Sequence, residues 1–186
     1  MKWLILSAVV KLALLSTAEA QPAPDACRSQ IPDALRQALQ QRFPQHDLPQ
    51  VSDSLAEDVQ FNRSRGGNGC ILVMRADFDG DGRADFAIGL APQTNRVPLV
   101  VVALSRDRSW AISTIRSWVD DINRLYVSSA PPGLLKRTAA LDGPVEPDER
   151  TSLRCDHAAV VVGATESTGI AYCYVKTRWL YVWISD

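Results

Sequence analysis

The sequence predicts an α+β fold in which an N-terminal helix packs on a mostly antiparallel β-sheet. Three observations carry that expectation. Leu35, Leu39 and Phe43 recur every four residues, the spacing of one helix face. Four runs of β-forming residues follow one another between Cys70 and Ile115, with connections too short for a parallel crossover. Three further runs, 157–163, 170–176 and 179–185, close the chain.

The chain has 186 residues, 46% of them hydrophobic, with 20 Lys+Arg against 21 Asp+Glu. That describes one ordinary globular domain. Near-neutral charge provides no strong field toward nucleic acid or an anionic membrane, so neither is an expected partner. Residues 1–20 read as a signal peptide. Lys2 gives a positive start, an apolar run spans 4–15, and Ala18-Glu19-Ala20 supplies small residues before a cut at Gln21. The run is too short to span a membrane, which takes about 20 apolar residues. Lys11 interrupts it and weakens insertion, which leaves a misassigned start codon or an uncleaved amphipathic segment as the alternatives. Residues 21–30 are Pro-rich and polar and read as a flexible lead-in, with a single domain over 31–186.

Within that domain, Pro32 and Asp33 open the helix and Pro44 ends it. The segment 52–61 suits a second short helix or an irregular strand. Arg63 to Gly69 reads as a surface turn rather than an anion nest. The four consecutive strands are 71–74, 86–88, 97–104 and 110–115. Residues 118–126 are ambiguous between helix and loop, and the Pro- and Gly-rich stretch 129–150 reads as a long excursion over the sheet. The last two strands meet at a tight connection, Thr177-Arg178. In the final strand Trp179, Tyr181 and Trp183 share one face, and Leu180, Val182 and Ile184 share the other. A strand apolar on both faces is either central to the domain or exposes an aromatic surface to a partner, and core packing is the favoured reading. No internal repeat is present.

Four cysteines, Cys27, Cys70, Cys155 and Cys173, follow the export signal. An even count in that context predicts two disulfides in an oxidising compartment, periplasmic or secreted. Of the three possible pairings, Cys27–Cys70 and Cys155–Cys173 are favoured because each joins neighbours along the chain. No CxxC or Cys/His spacing suits zinc.

The strongest signal is Asp77-Phe78-Asp79-Gly80-Asp81-Gly82-Arg83-Ala84-Asp85. Calcium takes six to eight hard oxygens at about 2.3–2.6 Å. Carboxylates at alternate positions Asp77, Asp79 and Asp81 converge on one point if the backbone curls around it. Gly82 permits the sharp turn, the Arg83 carbonyl offers a neutral oxygen, and Asp85 closes the ring. The expected ligand set is therefore Asp77, Asp79, Asp81, Arg83 and Asp85, with Ca²⁺ as the cofactor. An acidic surface turn is the plain alternative.

The loop departs from an EF-hand, with Ile88 where a bidentate Glu would stand and strands where helices would flank it. It resembles the FG-GAP/VCBS-type calcium loop of integrin-like propeller blades. One copy excludes a propeller, since a single blade cannot bury its own faces. Most of the mature chain resembles a family of small exported bacterial proteins of unknown function with a single such loop. The match rests on DFxGDGxxDxA at 77–87, a cysteine-bearing apolar strand at 70–74, the YxY of Tyr172–Tyr174 and the ending Trp183 to Asp186. Phe86 stands where tyrosine is common. The resemblance implies export and metal binding and implies no activity.

No catalytic constellation stands out. There is no GxSxG elbow, and His46 and His157 are the only histidines. The pairs Glu57/Asp58 and Asp120/Asp121 read as solvated surface. The sequence therefore favours a non-enzymatic exported domain with structural calcium and an unidentified ligand. The alternatives are an inhibitor or immunity-type protein acting on an envelope enzyme, hence another envelope protein as partner, and a calcium-dependent hydrolase.

Overall fold

The computed structural model describes residues 24–94, 96–141, 143–165, 167 and 169–184. The expected signal peptide 1–20, the cut before Gln21 and the terminal Ser185 and Asp186 lie outside the described residues. Of the expected lead-in, residues 24–30 form a built turn. The Asp25 carboxylate accepts from the N–H groups of Cys27, Arg28 and Val51, and a 3-10 turn follows over Arg28–Gln30.

Two helices follow. Helix α1 (Asp33–Arg42) has Pro32 at its N-cap, an acid in its first turn and a base in its last, and it buries Leu35 and Leu39. Helix α2 (Ala56–Ser64) settles the ambiguous segment 52–61 as helix, preceded by a 3-10 turn at Val51–Asp53. The strands are β1 (His46–Asp47), β2 (Val73–Ala76), β3 (Asp85–Pro92), β4 (Leu99–Arg106), β5 (Ser109–Ser117) and β6 (Leu125–Ala130). They continue with β7 (Gly133–Lys136), β8 (Ser152–Cys155), β9 (Ala159–Ala164), β10 (Gly169–Val175) and β11 (Arg178–Ile184). All their ladders are antiparallel.

The α+β expectation is overturned: the molecule is β-rich, 42% strand against 18% helix, and two sheets rather than one helix-backed sheet organise it. The first sheet runs β1-β3-β4-β5 with β2 also on β3, and the second runs β11-β10-β9-β6. The main core lies between them, where Ala87, Val100, Val102 and Leu104 meet Leu125, Val127, Val160, Val162, Ile170 and Tyr172. The period-2 alternation sends the intervening residues the other way. Val101, Ala103, Phe86 and Ile88 pack under Leu35 and Leu39, while Ala159, Val161, Ala171 and Val182 pack under Leu153 and Cys155 of the β7-β8 hairpin. Strands covered on both faces need apolar residues at every position, which is why these runs lack polar alternation. β11 is not central, since it ends its sheet; only Tyr181 and Val182, on its opposite faces, are buried, and its other residues are partly buried or exposed.

The segment expected as an excursion over 129–150 contains the end of β6 and all of β7, and its remainder seals the outer edge of β11. Tyr181 N–H donates to the Asp148 carbonyl at 3.0 Å, and Arg150 N–H donates to the Tyr181 carbonyl at 2.8 Å. This bridge occupies the middle of the edge, where another strand would otherwise pair. Glu149, only 2% exposed, holds the segment down by accepting from Arg137 Nε at 2.6 Å and Glu146 N–H at 3.1 Å.

Both favoured cysteine pairs lie at disulfide distance, with Cα separations of 5.0 Å for Cys27–Cys70 and 5.5 Å for Cys155–Cys173. The first ties the N-terminal turn to the chain entering β2. The second ties β8 to β10 and so clips the small hairpin onto the second sheet.

Candidate metal centre

The acidic loop joins β2 to β3, and the ladder between those strands closes with the pair Ala76↔Asp85. Phe78 is fully buried in the main core, so the loop is anchored through its second residue. With Phe78 turned inward, Asp77 and Asp79 remain at the half-buried rim. Two glycines permit the curl: Gly80 and Gly82 both have φ of +80°. A side chain at Gly80 would also run into the His157 ring, which places His157 against the loop.

Each carboxylate organises the backbone around it. Asp77 accepts from Gly80 N–H at 2.7 Å and from Gly82 N–H at 2.9 Å. Asp81 accepts from Arg83 N–H at 2.9 Å. Asp85 is fully buried and accepts from Phe78 N–H at 2.9 Å and from Ser105 N–H at 2.7 Å, joining the loop to β4. Asp79 accepts from Arg106 Nη1 at 2.7 Å.

Carboxylate oxygens of Asp77, Asp79 and Asp85 come within 4.8 Å of one another. That is the span across an ion whose ligands stand about 2.4 Å away on opposite sides. The donor set fits a hard cation: carboxylate oxygens with lone pairs beyond those taken by the loop N–H groups. Asp81, expected in the ligand set, is outside this converged group, and its carboxylate lies 3.7 Å from Arg106. Arg83 sits on the exposed bend, and its side chain reaches Asp107 at 2.6 Å.

Electrostatics explain why the centre suits a cation. Burial pushes the Asp85 carboxyl above its ordinary range; the Ser105 and Phe78 N–H groups pull it back, and Asp79 and Asp81 add to the rise. Arg106 is raised as well, which for a cation favours the charged form. Its guanidinium is held more firmly protonated by the hydrogen bond to Asp79, against a smaller effect of burial. Arg106 is the residue that sequence reasoning missed. It lies 21 positions beyond Asp85 and reaches the loop only because β4 pairs with β3. The parity of the strand was the available signal: Ser105 lies opposite Trp110, and the next residue ends the ladder beside the loop.

No protein-family model matches this chain, and no curated protein or solved structure matches it.

Proposed function

We propose that this chain is an exported, non-enzymatic β-sandwich domain in which the loop Asp77–Asp85 binds one calcium ion that stabilises the fold. The observation that carries the reading is the convergence of Asp77, Asp79 and Asp85 within 4.8 Å on a hairpin built into the main core. Asp77 and Asp79 would hold the ion at the half-buried rim, Asp85 from below, and Asp81 and the Arg83 carbonyl complete the set after a small rotation of the bend. The ion supplies positive charge where buried and half-buried carboxylates face one another. Arg106 meets part of that need without it, so the apo protein keeps its fold. Export is supported by two cysteine pairs at bonding distance, which suit an oxidising compartment. Among the described residues, no helix is long and apolar enough to cross a membrane.

The test is thermal unfolding with EDTA, calcium or magnesium. Binding to the native state alone adds about 2.7 kcal/mol at a hundredfold excess over Kd, or roughly 5–11 °C in Tm for a chain of this length. Magnesium should raise Tm far less, because it demands a tighter octahedron and sheds water reluctantly. An unchanged midpoint at saturating calcium would reduce the loop to an acidic turn.

A further inference from the structure

The two main sheets meet at a seam where side chains of β5, the terminal strand of the first, reach those of β11, the terminal strand of the second. Trp179 Nε1 donates to Ser113 Oγ across it at 3.1 Å. The β4-β5 ladder shifts register between Val100 and Val101, which pair with Arg116 and Thr114 and leave Ile115 as an extra residue. Ser113 lies opposite Val102 and faces the main core, so unbroken alternation would turn Arg116 outward. The bulge instead places Arg116 opposite the core residue Val100, with its guanidinium 5.4 Å over the Trp183 ring. No salt bridge of the described residues includes Arg116.

Arg116 is the shared wall of two clefts. One, of about 340 Å³, is also lined by Tyr172, Trp179 and Tyr181. The other, of about 280 Å³, is lined by Trp118 and Trp183. Each is lined by a residue whose buried polar atom has no acceptor: the Tyr172 hydroxyl, on a residue only 2% exposed, and Trp118 Nε1. Burial raises the pKa of the Tyr172 hydroxyl to about 12, against the charge and hydrogen bonding of the Arg116 guanidinium beside it, so the phenol keeps a proton to donate. Unpaired buried donors are costly, so such groups call for an acceptor. In the first cleft Arg178 is matched by Asp148 at 2.6 Å, and Asp120 in the lining of the second pairs with Arg124 at 3.7 Å, so among the described residues no acid reaches Arg116 within ion-pair distance.

We infer that this seam is a binding site for a carboxylate-bearing oligosaccharide, with sugar rings seated in the two clefts beside Trp179 and Trp183 and a carboxylate held by Arg116 and the Tyr172 hydroxyl. Arg116 supplies a planar fork of donors suited to a carboxylate, and the aromatic side chains supply apolar walls beside it. Two clefts on either side of one cation fit a ligand of repeating rings. An extended peptide adding to the edge of β5 is disfavoured, since the bulge breaks the ladder where the clefts lie. The inference does not depend on calcium at Asp77–Asp85, because no residue of that loop lines either cleft.

The experiment is calorimetric titration of the full protein with tetragalacturonate, the neutral oligomer cellotetraose and an acidic tetrapeptide, in EDTA and again in calcium. Tetragalacturonate should bind in both conditions and quench tryptophan fluorescence, with the other two at least tenfold weaker. Arg116→Gln should weaken uronate binding by tenfold or more, the scale of a hydrogen bond to a charged group. Tyr172→Phe, which removes only the hydroxyl, should weaken it about fivefold while leaving Tm within a few degrees. Tight peptide binding in place of the uronate would overturn the proposal in favour of a protein partner. Equal binding of acidic and neutral oligomers, no binding of any probe, or wild-type affinity in both variants would overturn it outright.

Discussion

Asp85→Asn separates the two roles of the most buried carboxylate in the loop. In the native protein its two oxygens accept from Phe78 N–H at 2.9 Å and Ser105 N–H at 2.7 Å, with no exposed surface. An asparagine keeps one acceptor and turns an NH₂ group toward the other donor. One buried N–H then loses its partner, at a cost of about 1–3 kcal/mol. Removing the charge also relieves repulsion with Asp79 and Asp81. That gain is the smaller effect, because Arg106 already neutralises Asp79 at 2.7 Å and lies 3.7 Å from Asp81. The variant should therefore melt roughly 2–12 °C below the parent in EDTA. It should also lose most of the calcium increment, since a neutral amide oxygen is a poorer ligand than a carboxylate. Differential scanning calorimetry of both proteins in EDTA and in calcium reads the two effects independently. A variant more stable than the parent in EDTA would show that carboxylate repulsion outweighs the hydrogen bonds. A variant with the full calcium increment would remove Asp85 from the ligand set.

Three other perturbations probe the scaffold. Gly80→Ala meets both a left-handed backbone and the His157 ring, so it should cost about 1–2 kcal/mol for the backbone and more for the collision; adding His157→Ala should restore only the second part, and full recovery in urea melts would contradict the backbone argument. Cys155→Ser with Cys173→Ser should cost about 2–5 kcal/mol, and the parent should take up no alkylating label without reduction. Glu149→Gln removes the charge facing half-buried Arg137 and should cost about 3 kcal/mol at neutral pH. Burial raises the Glu149 carboxyl, but the Glu146 N–H and Arg137 outweigh it and hold the folded value below the ordinary 4.5. The stability it contributes is therefore complete above that ordinary value and is lost as pH falls through the lower folded one. The parent should lose stability over that acid limb faster than the variant; parallel stability–pH curves there would refute the assignment.

The Glu149 contact also shows where sequence reading stops. Residues 129–150 looked like a loop because their prolines and glycines mask the short strands and because β7 has only four residues. What orders the rest is pairing with Tyr181, more than thirty positions away, and no local pattern announces such a partner. The same holds for Arg106 and Arg116, each delivered to its place by a neighbouring strand or a bulge.

By itself, the sequence determined the features whose physics is local. Carboxylates and glycines at fixed spacing specify a curled acidic loop, and long β-branched runs specify strands buried on both faces. Leu35 and Leu39 specify one face of a helix, and cysteines near one another in the chain suggested the pairs that lie at bonding distance. Only the tertiary structure decided that those strands form two sheets, that the helix covers one outer face instead of founding the fold, and that Phe78 plugs the loop into the core. It also decided that Arg106 meets the carboxylates and that Trp118, Trp179 and Trp183 come together along one seam with Arg116. Strand alternation tells a residue which side of its own strand it faces. Which sheet, ring or charge waits on that side depends on contacts between distant segments, and these are chosen by the burial of the whole chain.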